Sequence, residues 1–117
     1  MSYDIYLGDP VTHHKLHVDT KHHIAGGTYA LGGTTELSLN VTYNYAPHFR
    51  GFGPKGIREL YGKSGAESIP LIETVIAILG DDKSDDYWQP TEGNAKAALY
   101  GLLALARMRP DGVWQGD

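Results

Sequence analysis

Four cations and one acid stand between Arg50 and Lys63: Arg50, Lys55, Arg58 and Lys63 against Glu59. Three of them belong to Arg50-Gly-Phe-Gly-Pro-Lys-Gly-Ile-Arg58, a glycine-rich turn able to offer both main-chain amides and side chains to an anion. The forked guanidinium groups of Arg50 and Arg58 suit phosphate oxygens, and Lys55 adds a point charge. Gly51, Gly53 and Gly56 also spell G-x-G-x-x-G, the spacing of dinucleotide-binding turns. Context argues against that fingerprint: no parallel β-α-β unit is legible, the following helix is short, and Pro54 removes an amide that a pyrophosphate would need. What remains is a looser anion-binding turn at the start of a helix, set against the plain alternative of a strand-to-helix connection with solvated cations.

Just before this turn lies a polar row without charge. In Glu36 to Tyr45, Leu37, Leu39, Val41, Tyr43 and Tyr45 alternate with Glu36, Ser38, Asn40, Thr42 and Asn44, so a strand there puts the apolar set on one face and the polar set on the other. Asn40, Thr42 and Asn44 then present amide and hydroxyl groups at intervals of about 6–7 Å, a spacing that suits a nucleotide-sized ligand as well as an ordinary solvated sheet face. His48 sits beside the basic turn as a possible proton-transfer group, and Phe52 and Tyr61 are aromatic rings placed for stacking. Asn94 and Lys96 open a helix whose N-terminus carries partial positive charge, and they complete the expected ligand-binding set.

The remaining polar clusters are weaker candidates. His13, His14, His17, His22 and His23 surround Asp19 on an expected hairpin, where His17 and His22 can approach across the turn, but their spacing matches no established zinc pattern. Asp81-Asp-Lys-Ser-Asp-Asp-Tyr-Trp88 lacks the central glycine and closing glutamate of a calcium-binding loop and reads as a solvated loop with an anchoring Tyr87-Trp88 pair. No catalytic residue, metal site or cofactor is assigned. The absence of cysteine removes disulfides, thiolate nucleophiles and cysteine-based zinc sites.

These groups must be positioned by a chain of 117 residues, 41% of them hydrophobic, the size of one ordinary domain. The formal net charge is −4, with the surplus of acid in residues 61–117. A broad basic face is therefore missing, and duplex nucleic acid is not an expected partner. No apolar run is long enough for a bilayer, and the first residues, with Asp4 among them, do not read as a secretory leader, so a cytoplasmic location is expected and a membrane partner is not.

The first half reads as strands and turns. Tyr3–Leu7 and Lys15–Val18 suggest an N-terminal hairpin around Gly8-Asp9-Pro10, the repeated Gly-Gly-Thr of residues 26–34 suggests tight turns, and the long alternating strand ends at Ala46-Pro47. The second half reads as helices. A short one spans Gly56 to Tyr61. Ser68 to Leu79 is apolar over more than half its circumference, which predicts a largely buried helix with Ser68 as cap and Pro70 in the first turn. Thr91 caps the longest helix, running to Met108, and Trp114 is expected to tie the C-terminal segment to the core. Strands followed by helices define an α+β fold: an N-terminal antiparallel sheet covered by C-terminal helices in a single domain over residues 1–117.

Leu39-Asn-Val-Thr-Tyr-Asn-Tyr45, Asp86-Tyr-Trp-Gln-Pro-Thr-Glu-Gly-Asn-Ala-Lys96 and Arg109-Pro-Asp-Gly-Val-Trp-Gln-Gly-Asp117 resemble a family of small uncharacterised proteins of phages, prophages and gut bacteria. The resemblance implies a setting and no assigned activity. In that setting small accessory proteins often antagonise host defence, and the residues above suit a homo-oligomer that binds and sequesters a nucleotide-derived immune signal without altering it. Two other classes stay open: a protein-binding inhibitor of a host effector, and a small hydrolase using histidine.

Overall fold

Alternation of apolar and polar residues builds the central sheet. The computed structural model describes residues 1–24 and 32–117. In β1 (Ser2–Gly8), Tyr3, Ile5 and Leu7 turn inward. After β2 (His17–His22) and β3 (Thr34–Glu36), β4 (Ser38–Thr42) buries Leu39 and Val41. Two α-helices follow, α1 (Gly65–Ile78) and α2 (Glu92–Met108), and then β5 (Val113–Gly116). β1 is the central strand, antiparallel to β4 on one side and to β5 on the other, while β2 and β3 form a separate antiparallel pair. The architecture is α+β, with strands mostly in the N-terminal half and helices in the C-terminal half. One apolar cluster joins the inner faces of β1 and β4 to Ile72 and Val75 of α1, Leu99, Leu102 and Leu105 of α2, and Trp114 of β5.

The expected N-terminal hairpin is replaced by a different pairing. β1 pairs with the next segment through the single Gly8–Lys15 bridge, with Leu16 donating to the Leu7 carbonyl, and its two long edges belong to β4 and β5. The inward row Tyr3-Ile5-Leu7 belongs in the middle of a sheet, whereas β2 is mostly exposed and has little to bury there. The C-terminal segment, expected only to anchor Trp114, is itself a strand of this sheet, and Trp114 is 0% exposed. Of the repeated Gly-Gly-Thr, the first copy lies outside the described residues. In the second, Gly32 and Gly33 have φ of 77° and 83° and lead into Thr34, a conformation glycine adopts without steric cost.

Of the strand expected over Glu36–Tyr45, Glu36 belongs to β3 in the separate pair, and β4 begins only at Ser38 and stops at Thr42. Its hydroxyl accepts the Asn44 amide at 3.2 Å and caps a 3-10 helix over Tyr43–Phe52. Cap chemistry thus overrides an alternation that reads unbroken in the sequence, and Tyr45 reaches the core from a helical turn. A second 3-10 helix covers Gly56–Leu60.

α1 begins a turn before its expected start. Ser64 and Glu67 exchange side-chain to main-chain hydrogen bonds of 3.0 Å each, a complete capping box, and the amides of Gly65 and Ala66 donate to the carbonyls of Gly112 and Pro110. Pro70 then lies inside the helix, where it has no amide to donate to the Ala66 carbonyl. Ser68, the expected cap, is instead buried. Its hydroxyl donates to the Gly65 carbonyl at 2.7 Å and accepts the Trp114 indole N–H at 2.8 Å. The outer face of α1 leaves Leu71 and Ile78 exposed, so the helix is less enclosed than its composition implies. α2 runs as expected from its Thr91 cap. No helix among the described residues is long and apolar enough to cross a membrane.

Candidate functional site

The residues singled out in the sequence separate into two neighbouring groups. The first surrounds the loop between α1 and α2. Tyr87 turns inward: its hydroxyl accepts the Thr42 amide at 3.0 Å, and its carbonyl accepts the Tyr45 hydroxyl. Burial is the main cause that pushes the Tyr45 phenol up to about 12, with nearby Tyr87 adding to it. Asn44 Nδ2 donates to the Trp88 carbonyl at 2.9 Å, and His48 Nε2 lies 2.7 Å from the Pro90 carbonyl, so it carries the proton there. Asn94, only 5% exposed, donates to the carbonyls of Asp86 and Gln89 and accepts the Ser84 amide on its oxygen. Gly93 lets the loop pass directly over α2: a Cβ at that position would stand 2.6 Å from the Asp82 carbonyl oxygen.

Asn44, His48 and Asn94, expected around a ligand, therefore engage the main chain of residues 84–90, while Thr42 gives its amide to the Tyr87 hydroxyl and its own hydroxyl accepts the Asn44 amide. Asn40 is held by Ser2 and Asp4 across the β1–β4 pair. Lys96 is tied to the Leu79 carbonyl at 3.2 Å and to Asp81 at 2.7 Å, and the hydrogen bond to that carboxylate is the main reason its pKa is raised. Trp88 was expected to anchor the loop together with Tyr87. Tyr87 does so, while Trp88, its ring edge-on to Tyr87, is 53% exposed.

The second group is the basic turn. Its main-chain amides are mostly taken: Gly53 donates to Arg50, Gly56 to Gly53, and the Lys55 amide lies 3.4 Å from Glu59 Oε2. Gly53 has φ of 134°, a conformation that favours glycine, and a Cβ there would displace the Glu59 carboxylate. Arg58 is held in place as well. Its Nε donates to the Asp117 main-chain oxygen at 2.9 Å, Nη2 donates to the Tyr43 hydroxyl at 3.3 Å, and the guanidinium lies 5.0 Å from the Tyr3 ring centroid. Phe52 packs near Phe49. The Tyr61 hydroxyl is buried beneath Gly116 with no hydrogen-bond partner among the described residues; burial, then the Asp117 charge, pushes its pKa up to about 12.

Arg50 and Lys55 are different. Both are exposed, neither side chain has a hydrogen-bonding or ionic partner among the described residues, and both line a concavity of about 260 Å³. Tyr3, Ala46, Pro47 and Pro54 complete most of its wall. Two free cations beside apolar walls are suited to an anionic group such as phosphate.

The histidine hairpin is not gathered into a metal centre. His17 Nδ1 lies 3.1 Å from the Thr35 hydroxyl, His22 Nε2 lies 2.6 Å from the Glu36 carbonyl, and no group of three or more potential ligands with metal-binding geometry occurs among the described residues. Comparison with protein-family models, curated proteins and solved structures finds no match to this chain.

Proposed function

We propose that this chain is a non-enzymatic binder of a small phosphate-bearing anion, held in the concavity between Arg50 and Lys55. The observation that carries this reading is the pair of cationic side chains left without partners among the described residues at the edge of a cavity, while Arg58 and Lys96 are committed to internal contacts. In the phage-associated setting that the sequence resemblance implies, the reading takes a specific form: sequestration of a nucleotide-derived immune signal, by a homo-oligomer, in the cytoplasm of the host bacterial cell.

Inorganic pyrophosphate is the simplest probe. A ligand that binds only the folded chain raises its stability in proportion to RT ln(1 + [L]/Kd), about 2.7 kcal/mol at a hundredfold excess over Kd. The expected result is a Tm that climbs with pyrophosphate concentration and a probe recovered intact after denaturation. A Tm indifferent to pyrophosphate contradicts the reading and favours a protein-binding inhibitor; recovery of orthophosphate identifies a hydrolase instead.

A further inference from the structure

The Arg50–Lys55 concavity is too small to enclose a whole nucleotide. At about 260 Å³ it falls below the roughly 300–1,000 Å³ typical of small-molecule sites. A phosphate group fits there, and whatever is attached to it must lie along the adjoining surface. That surface has a direction. In the 3-10 helix Tyr43–Phe52, Asn44, Pro47 and Arg50 are all exposed at a three-residue spacing, the interval at which side chains of such a helix eclipse one another. They form a row about 12 Å long, estimated from a rise of about 2 Å per residue. Arg50 and Pro47 line the concavity at one end; at the other, Asn44 holds the Trp88 carbonyl at 2.9 Å and so fixes the base of the exposed indole.

On this basis, and resting on the anion-binding reading above, we propose that Trp88 is the ring-binding end of an extended site whose phosphate end is Arg50 and Lys55, and that the ligand class is a nucleoside di- or polyphosphate. An indole offers a face to any heteroaromatic base and favours stacking without demanding a particular sequence of donors and acceptors. The loop that carries Trp88 is fixed before any ligand arrives: Thr42, Tyr45, Asn44, His48 and Asn94 all hold it. That arrangement lowers the ordering cost of binding. Asn44 uses its amide nitrogen on the loop and keeps its carbonyl oxygen for an exocyclic amine or a sugar hydroxyl.

The test compares ADP with pyrophosphate, which share a diphosphate and differ by a nucleoside, on the full chain by calorimetry and tryptophan fluorescence. Trp114 is 0% exposed, so a ligand-dependent change in emission reports Trp88. The expected results are ADP binding about tenfold or more tighter than pyrophosphate, with a change in emission. Trp88→Ala should remove that advantage while leaving pyrophosphate affinity unchanged, and Trp88→Phe should restore part of it. Equal affinities for the two probes, both indifferent to Trp88→Ala, overturn this inference and leave the anion site standing. Failure of both probes to bind overturns the anion site and this extension together.

Discussion

The loop between α1 and α2 and the turn at Arg50–Lys55 are both polar and both adjoin the 3-10 helix Tyr43–Phe52, yet they use their polar groups in opposite ways. Around the loop, amides, hydroxyls and imidazole answer main-chain donors and acceptors that would otherwise be poorly satisfied: Asn94 alone serves Ser84, Asp86 and Gln89. At the turn, two cations have no partner among the described residues. A residue type that suits a ligand also suits the chain's own backbone, and only the presence or absence of a partner separates the two roles.

The sharpest way to break this comparison is at Asn94. Asn94→Ala removes three hydrogen bonds at a buried position and should cost about 3 kcal/mol, lowering Tm by roughly 10–15 °C in thermal denaturation. Where the variant is still folded, pyrophosphate affinity should stay within about twofold of wild type. A loss of binding without a loss of stability would move Asn94 from the scaffold into the site. Tyr45→Phe, which takes one donor from the Tyr87 carbonyl, should cost about 1–2 kcal/mol by denaturant titration, again without effect on the anion.

Alkaline titration sharpens the same contrast between satisfied and unsatisfied groups. Tyr45 and Tyr61 both have phenol pKa values raised to about 12 in the folded chain. Their neutral forms favour the fold below pH about 10, where an unfolded tyrosine begins to ionise, and that contribution is lost as pH rises toward 12. Stability should therefore decline across this window. Tyr61→Phe should make the decline shallower and, because the Tyr61 hydroxyl has no partner among the described residues, should change stability at neutral pH by under about 1 kcal/mol. An unchanged alkaline decline in Tyr61→Phe would remove that phenol from the account. The smallest expected effect on stability is that of Arg50→Ala, within about 0.5 kcal/mol at an exposed side chain without partners.

The sequence carried the fold class and α2 with its Thr91 cap, because strand alternation and helix capping are local signals. It misplaced what depends on distant partners. The start of α1 is supported by Gly112 and Pro110, more than forty residues away, which accept its first amides and so favour the early Ser64 cap despite Pro70. The end of β4 turns on whether Thr42 continues the ladder or caps a helix, and both are open to threonine. At the site, cation clustering brought out Arg50 and Lys55, but nothing local distinguishes them from Arg58, whose partners are Tyr43, Tyr3 and Asp117. Trp88 was hidden by a sound rule, that large aromatics beside polar loops anchor them; here its neighbour Tyr87 does the anchoring and leaves the indole outside.

Isothermal titration of pyrophosphate into the wild-type chain and into Arg50→Ala/Lys55→Ala tests the central claim most directly. Saturable binding by the wild type, weakened at least tenfold in the double variant while both unfold at the same Tm, is the predicted result. Equal affinity in the two proteins would contradict it, since the two cations that line the concavity would then contribute nothing to holding the anion.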